Sequence, residues 1–378
     1  MRFLLILLTV GAAFAQVPRQ TESPGTKEDL RGVSVVSRQV AWASGTHGTF
    51  LRTTDGERTW SVGQVPGAEA LDFRGVVAFS ADEAFLMSSG AGEQSRIYHT
   101  TDGGQHWKAQ FTSTNPKAFF DAMAFWDSKH GVVLGDPVAD ESGKLKFQLM
   151  MTSDGETWSA TPSSQMPEAV AGEGAFAASN SCMAILRGGK SEVAAAGKAG
   201  EAKAVAAPED NIWFATGGSV ARVFHSGDRG MTWEVYSTPM VHGADSEGIF
   251  SIAFRDADHG VIAGGDYKRP DRDGPNLAFS DDGGKTWSLS TIYPQAYYSA
   301  VAYDLRELTP ETAKQDLNRA GVRLFLAAPK FIFDFRPPRN PTRISPRKKS
   351  GIGFNAVGAF PGGGALLVGP KGSIATTP

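Results

Sequence analysis

The chain has 378 residues, 41% of them hydrophobic and 20% charged, with a formal net charge of -3. That balance is ordinary for a globular protein, and it excludes both a disordered chain and a broadly basic nucleic-acid binder. One cysteine, Cys182, excludes an internal disulfide framework; within the apolar run CMAIL it reads as a small buried hydrophobe.

The first element is a leader. MRFLLILLTVGAAFA carries Arg2, an apolar run from Phe3, and an A-x-A site at Ala13-Phe14-Ala15. This predicts a cleaved secretory signal over 1–15 and a mature chain, 16–378, that is exported to a periplasm or secreted. The run is shorter than the roughly 20 apolar residues a membrane span needs.

A repeat follows. TTDGERTW, TTDGGQHW, TSDGETW, SGDRGMTW and SDDGGKTW share a Ser or Thr, an Asp two residues on, a Gly and a closing Trp. Their aspartates are Asp55, Asp102, Asp154, Asp228 and Asp282, and their tryptophans Trp60, Trp107, Trp158, Trp233 and Trp287. A period near about 50 residues marks a repeat architecture. Between the boxes, short period-two apolar runs bounded by Gly read as strands; in one repeat they are GVVAF, EAFLMSS, RIYHTT and HWKAQF. A four-stranded antiparallel unit at this spacing is one blade of a β-propeller. The repeats begin near Arg31, Arg74, Asp121, Gly174, Ile249, Tyr298 and Phe354, the sixth without an Asp box. The last shows three strands, and residues 16–30 are expected to close the ring as its fourth. The predicted fold is therefore all-β, a single seven-bladed propeller of four-stranded antiparallel blades with Asp-box hairpins, favoured over six or eight blades.

Three stretches interrupt the pattern. Residues 188–210 are rich in Ala, Gly and Lys without strand signal and read as a low-complexity insertion in blade four. Residues 304–322 read as a helix, capped at Thr309 and ended at Gly321. Residues 336–349 are basic and Pro-rich, a solvated loop or a contact for an anionic partner.

Each Asp box lies between a third and a fourth strand, where the Asp accepts turn N–H groups and the Trp packs between blades. The boxes thus read as structural fastenings. A catalytic reading would need five active sites at the outer rim. No calcium loop, dinucleotide fingerprint or phosphate loop is present. The scattered histidines offer no metal set; His130 and His259 occupy equivalent turns. No cofactor is expected.

The boxes and strand layout resemble the BNR/Asp-box repeat of sialidases and related propellers. WASGTHGTFLRTTDGERTW, GGDY and AVGAFPGGGALLVGPKGSIA are more similar to the photosystem II stability/assembly factor family and its bacterial homologues. The resemblance implies a non-enzymatic, exported propeller that binds a protein subunit of a membrane complex during assembly; the net charge and the lack of a spanning run lead to the expectation of neither nucleic acid nor stable membrane insertion. The alternative is a carbohydrate-active propeller, a sialidase-like glycosidase or a degenerate lectin. If the protein is an enzyme, it is expected to be a glycoside hydrolase.

Propeller sites gather over the central channel, where first strands converge. Alignment of those strands places Arg31, Arg74, Asp121, Glu173, Glu247, Tyr298 and Asn355 at the channel entrance. They form either a solvated polar lining or a surface that binds a partner. A sialidase-like site would use Arg31 and Arg74 on a carboxylate and pair Glu173 with Tyr297 or Tyr298. Its third arginine is missing, because Arg255 falls at the far end of its strand. Asp136, Asp266 and Tyr267 form a second candidate edge for partner contact.

Overall fold

The structure, a computed structural model, describes residues 19–20, 24–186, 210–290, 296–305, 323–329, 332–335 and 353–377. The expected signal segment, the helix over 304–322 and the basic stretch over 336–349 lie wholly or almost wholly outside these residues, as does the 188–210 insertion apart from Asp210.

The alternating apolar runs form antiparallel sheets in chain order. The first blade holds Leu30–Val35, Ala41–Gly45, Thr49–Thr53 and Ser61–Gln64. The second holds Asp72–Ala78, Ala84–Ser89, Arg96–Thr100 and Lys108–Thr112, and the third Phe120–Phe125, Gly131–Ala139, Leu145–Thr152 and Ser159–Ala160. The fourth holds Met183–Ile185, Ile212–Ala215, Arg222–Ser226 and Glu234–Ser237, and the fifth Glu247–Phe254, Gly260–Asp266, Leu277–Ser280 and Ser288–Leu289. A three-stranded sheet follows, of Ala300–Tyr303, Leu324–Ala327 and Ile332–Phe335. The closing blade holds Ala356–Ala359, Ala365–Val368 and Ile374–Thr377, and its outer strand comes from the other end of the chain: Arg19–Gln20 pair antiparallel with Ala375 and Thr376.

The expectation of seven four-stranded blades is corrected. Among the described residues six sheets contain the four-stranded blade, not seven, and the sheet after the fifth blade stops at three strands. The sequence after Ile332–Phe335 lacks the Asp box that precedes the outer strand in each of the first five blades.

The innermost strands touch in sequence round the ring, and Ala356–Ala359 of the closing blade returns to Leu30–Val35 of the first. The seam is sealed by polar bonds as well: Leu30 N–H donates to Gly369 O at 3.0 Å, and Asn355 Nδ2 to Leu30 O at 2.8 Å. The core lies between blades. Trp42, Phe50, Phe73, Leu86 and Tyr98 join the first blade to the second, while Phe147, Leu149, Phe214 and Phe224 join the third to the fourth. Burial of such aromatic and branched side chains stabilises a ring of individually small sheets.

Each Asp-box segment connects a third strand to a fourth. Asp102 Oδ1 accepts His106 N–H at 2.9 Å, and Thr100 Oγ1 accepts Gly104 N–H at 3.0 Å. The same arrangement recurs at Asp228 with Thr232 and at Asp282 with Thr286. Gly104 has φ +84°, and a Cβ there would lie 2.5 Å from the Phe50 ring, so the turn and the inter-blade packing both need glycine. The closing tryptophans sit just before the outer strands and pack on inner-strand or neighbouring-blade aromatics: Trp107 contacts Trp42 and Phe50 of the preceding blade, and Trp158 contacts Phe125 of its own blade.

Blade four departs from the expected layout. Its inner strand is Met183–Ile185, not a run starting at Gly174, and its partner Ile212–Ala215 follows the insertion. Glu173 and Gly174 instead pair with Gly218 and Gly217, further along the same second-strand run. Residues 175–182 between these two short pairings therefore leave the ladder and project into the ring.

Candidate functional site: a bridged channel mouth

Four inner strands carry a one-residue register shift at matching places, which leaves Arg31, Arg74, Asp121 and Phe250 outside the ladder. A bulge frees one residue from pairing and re-aims its side chain. Sequence alignment found three of these positions. In blade five it placed Glu247 instead of Phe250, three residues away.

Residues 175–182 span the mouth between these bulges. Asn180 has φ +62°, a conformation Asn tolerates better than most residues. Its side chain serves as a substitute strand for blade three: Oδ1 accepts Met123 N–H at 2.7 Å, and Nδ2 donates to Met123 O at 3.0 Å. Ser179 Oγ donates to Ser299 O at 2.7 Å, and Ser181 Oγ to Ser251 Oγ at 2.8 Å. Ala177 O accepts from Arg74 Nη1 at 3.1 Å, and Ala175 N–H donates to Asp136 Oδ1 at 3.1 Å. Phe176 stacks on Phe250 with ring centroids 3.8 Å apart. The segment thus ties blade four to the second, third and fifth blades and to the three-stranded sheet. The mouth is bridged by protein and is not a simple polar lining.

The expected site residues divide into groups. Arg31 and Arg74 come together on one carboxylate: Arg74 Nε donates to Asp72 Oδ2 at 2.8 Å, and Arg31 Nε lies 3.7 Å from Asp72 Oδ1. Both arginine side chains remain 29% exposed. Tyr297 lies beside them. Burial pushes its phenol well above the usual range, against the opposing pull of Arg31 and Arg74. Asp121 is 1% exposed and adjoins Asp136 and Arg74.

The others serve the fold. Glu173 has a fully buried side chain; Oε1 accepts Arg222 Nε at 2.9 Å and Thr216 Oγ1 at 2.7 Å, and Oε2 accepts Val170 N–H at 3.0 Å. Glu247 accepts from Arg269 and Arg272 at 2.9 and 2.8 Å, and Asp266 joins this cluster through Arg269. Tyr298 is fully buried in the core between the fifth blade and the three-stranded sheet. Asn355 belongs to the ring seam. The base and nucleophile of a sialidase-like reading are therefore not presented together at the mouth. Arg255, near its strand's far end, lies 3.3 Å from Asp256.

Alignment of strand starts missed Asp72, Phe176, Asn180 and Phe250. Asp72 is visible as an Asp-x-Arg pair in LDFRGVV. The other three depend on the irregular segment, whose course no local pattern announces. Tyr267, 46% exposed, extends the aromatic group through an edge contact with Phe250, and Tyr297 makes another at 4.7 Å between centroids. The result is a bridged mouth with an aromatic centre and two arginines at its edge. Among the described residues no group of three or more His, Cys, Asp or Glu is placed to hold a metal ion.

This ring of antiparallel blades is a β-propeller. Residues 13–116 match the family model described as photosynthesis system II assembly factor YCF48, and the chain is thus a repeat propeller resembling that assembly-factor family. A solved structure titled "YCF48 bound to D1 peptide" matches at 16% identity and a TM-score of 0.56, covering 97% of this chain and 98% of that one. The U3-55K structure matches at 10% identity and a TM-score of 0.58, covering 96% of this chain and 98% of that one. At such identities these two likenesses show the fold alone. No curated protein matches the chain in sequence.

Proposed function

We propose that the protein is an exported, non-enzymatic assembly or stability factor that docks a protein segment of a membrane-associated complex at the bridged channel mouth. The observation that carries this reading is the mouth itself: Arg31 and Arg74, each part-exposed, beside Tyr267, Tyr297 and the stacked Phe176–Phe250 pair. Aromatic and arginine side chains on a fixed frame are the residue types that dominate protein interfaces, and a pre-ordered frame lowers the ordering cost of binding. The family-model match supports the assembly role. A related fold has been solved with a D1 peptide, which favours a polypeptide from a photosystem-type complex as the partner class.

The test is affinity capture of the mature chain from solubilised envelopes of its own host, set against an Arg31→Ala/Tyr267→Ala variant. Enrichment of one membrane complex, lost in the variant, is the expected result. Retention of that complex by the variant would move the site elsewhere on the ring. Recovery of no protein partner would overturn the reading.

A further inference from the structure

The bridging segment rests on two acids, one buried and one half-buried. Asp121 is 1% exposed, and neither of its carboxylate oxygens accepts a hydrogen bond from the protein. It occupies the bulge between Phe120 and Ala122, while Asp136 follows Gly135, the residue that pairs with Phe120. Two carboxyl groups are thus side by side under residues 175–182, and one of them holds the segment directly through Ala175 N–H.

The surroundings do little to neutralise a second charge. Blade two offers Arg74, already bonded to Asp72 and to Ala177 O. Blade one offers Arg31, which faces Asp72. The segment itself brings the buried Cys182 thiol, and the strand before it brings Glu173, compensated by Arg222. The stretch before the three-stranded sheet brings Tyr297, buried and neutral.

We propose that residues 175–182 form a proton-operated latch, seated across the channel mouth while Asp121 and Asp136 share at least one proton and loosened when both are ionised. Like charges placed together out of water cannot both ionise without cost. Burial raises Asp136 to about 6, and burial with the neighbouring Asp136 charge raises Asp121 well above the usual range. The sign follows from linkage. A raised carboxyl favours the seated state below the ordinary carboxylate value, and that preference is lost as pH rises through the raised value. For Asp136 alone, moving from an open-state value near about 3.9 predicts roughly a 10-fold rise in latch opening between about pH 5 and 8. Opening would uncover the Phe250 ring face that Phe176 covers. The latch works on the protein alone, whether or not a partner docks at the mouth.

The experiment is amide hydrogen exchange of the full mature chain, followed by mass spectrometry across this pH range and corrected for the intrinsic exchange rate. Protection of a 175–182 peptide is expected to fall about 10-fold from about pH 5 to 8, while the first-blade strands Ala41–Gly45 and Thr49–Thr53 stay constant. Asp121→Asn/Asp136→Asn removes both titrations but keeps an acceptor for Ala175 N–H, and is expected to flatten the profile. Labelling of Cys182, the chain's one thiol, corrected for thiolate fraction, reads the same opening from its other end. Corrected protection that is flat in the wild type would overturn the latch, as would an equal fall in the variant. Should the double variant not fold, Asp136→Asn alone and the wild-type profile decide between the same outcomes.

Discussion

Phe176 and Phe250 lie face to face across the channel mouth, their ring planes 12° apart. One ring comes from an irregular segment and the other from a bulge in the inner strand of the fifth blade, so a single stack joins two departures from regular pairing. Phe250 is 2% exposed while Phe176 is half-buried, so Phe250→Ala is expected to cost about 3 kcal/mol and Phe176→Ala about 2 kcal/mol. The double variant should fall short of additivity by about 1 kcal/mol, the coupling of an aromatic pair. Urea unfolding of the four proteins measures this cycle; full additivity would mean that the stack contributes nothing beyond burial.

The Glu173–Arg222 pair makes a different prediction. Glu173 is fully buried at its side chain, so Arg222→Ala strands a charge and is expected to cost about 3–5 kcal/mol. Glu173→Gln combined with Arg222→Met removes both charges and should recover most of that loss. Comparison of denaturant midpoints, read with the slopes, separates the two cases.

Two glycines with similar backbone angles should respond differently to alanine. Gly104 has φ +84° and Gly67 φ +75°, yet a Cβ at Gly104 meets Phe50 at 2.5 Å while one at Gly67 meets nothing within 4 Å. Gly67→Ala should cost about 1 kcal/mol from backbone conformation alone. Gly104→Ala should cost about 1–3 kcal/mol more, because the ring must move. Equal losses in thermal or chemical unfolding would show that Phe50 yields freely.

The Asp boxes set a pH dependence at the acid end. Thr59 donors hold Asp55 at about 2, and the His106 N–H and ring hold Asp102 at about 2. A lowered carboxylate stabilises the fold above its ordinary value near about 4 and loses that contribution as pH falls toward 2. Asp55→Asn/Asp102→Asn should therefore unfold with a shallower dependence on acid than the wild type. Tryptophan fluorescence is a direct readout, since five of the eight tryptophans close these turns. An unchanged acid profile would assign acid unfolding to other groups.

Much of the blade architecture was readable because its signals are local. The Ser or Thr, the Asp two residues on and the Gly bond within one turn, as Thr100, Asp102 and Gly104 do. Alternation then marks the strands on either side. The same reasoning placed Arg31, Arg74 and Asp121 at matching positions, since three similar strands bulge at the same step. It placed Glu247 too early because an acidic residue at the strand start, EGIFSIAF, resembled the polar entries of the other repeats. The four-stranded count was too high by one because the repeat beginning at Tyr298 shows a strand rhythm without the box that launches an outer strand.

By itself the sequence determined the repeat, the antiparallel blade and the turns that fasten it, because each arises between residues a few positions apart. Only the tertiary structure decided the course of residues 175–182. GAFAAS has the composition of an inner strand, and residues 175–179 do alternate between buried and half-buried. Its pairing depends on a second strand, Ile212–Ala215, that takes Met183–Ile185 instead. Asn180 then finds Met123, and Phe176 finds Phe250, across a ring whose closure brings distant blades within bonding distance. The mouth, its paired acids and its aromatic centre follow from that non-local competition for one strand edge.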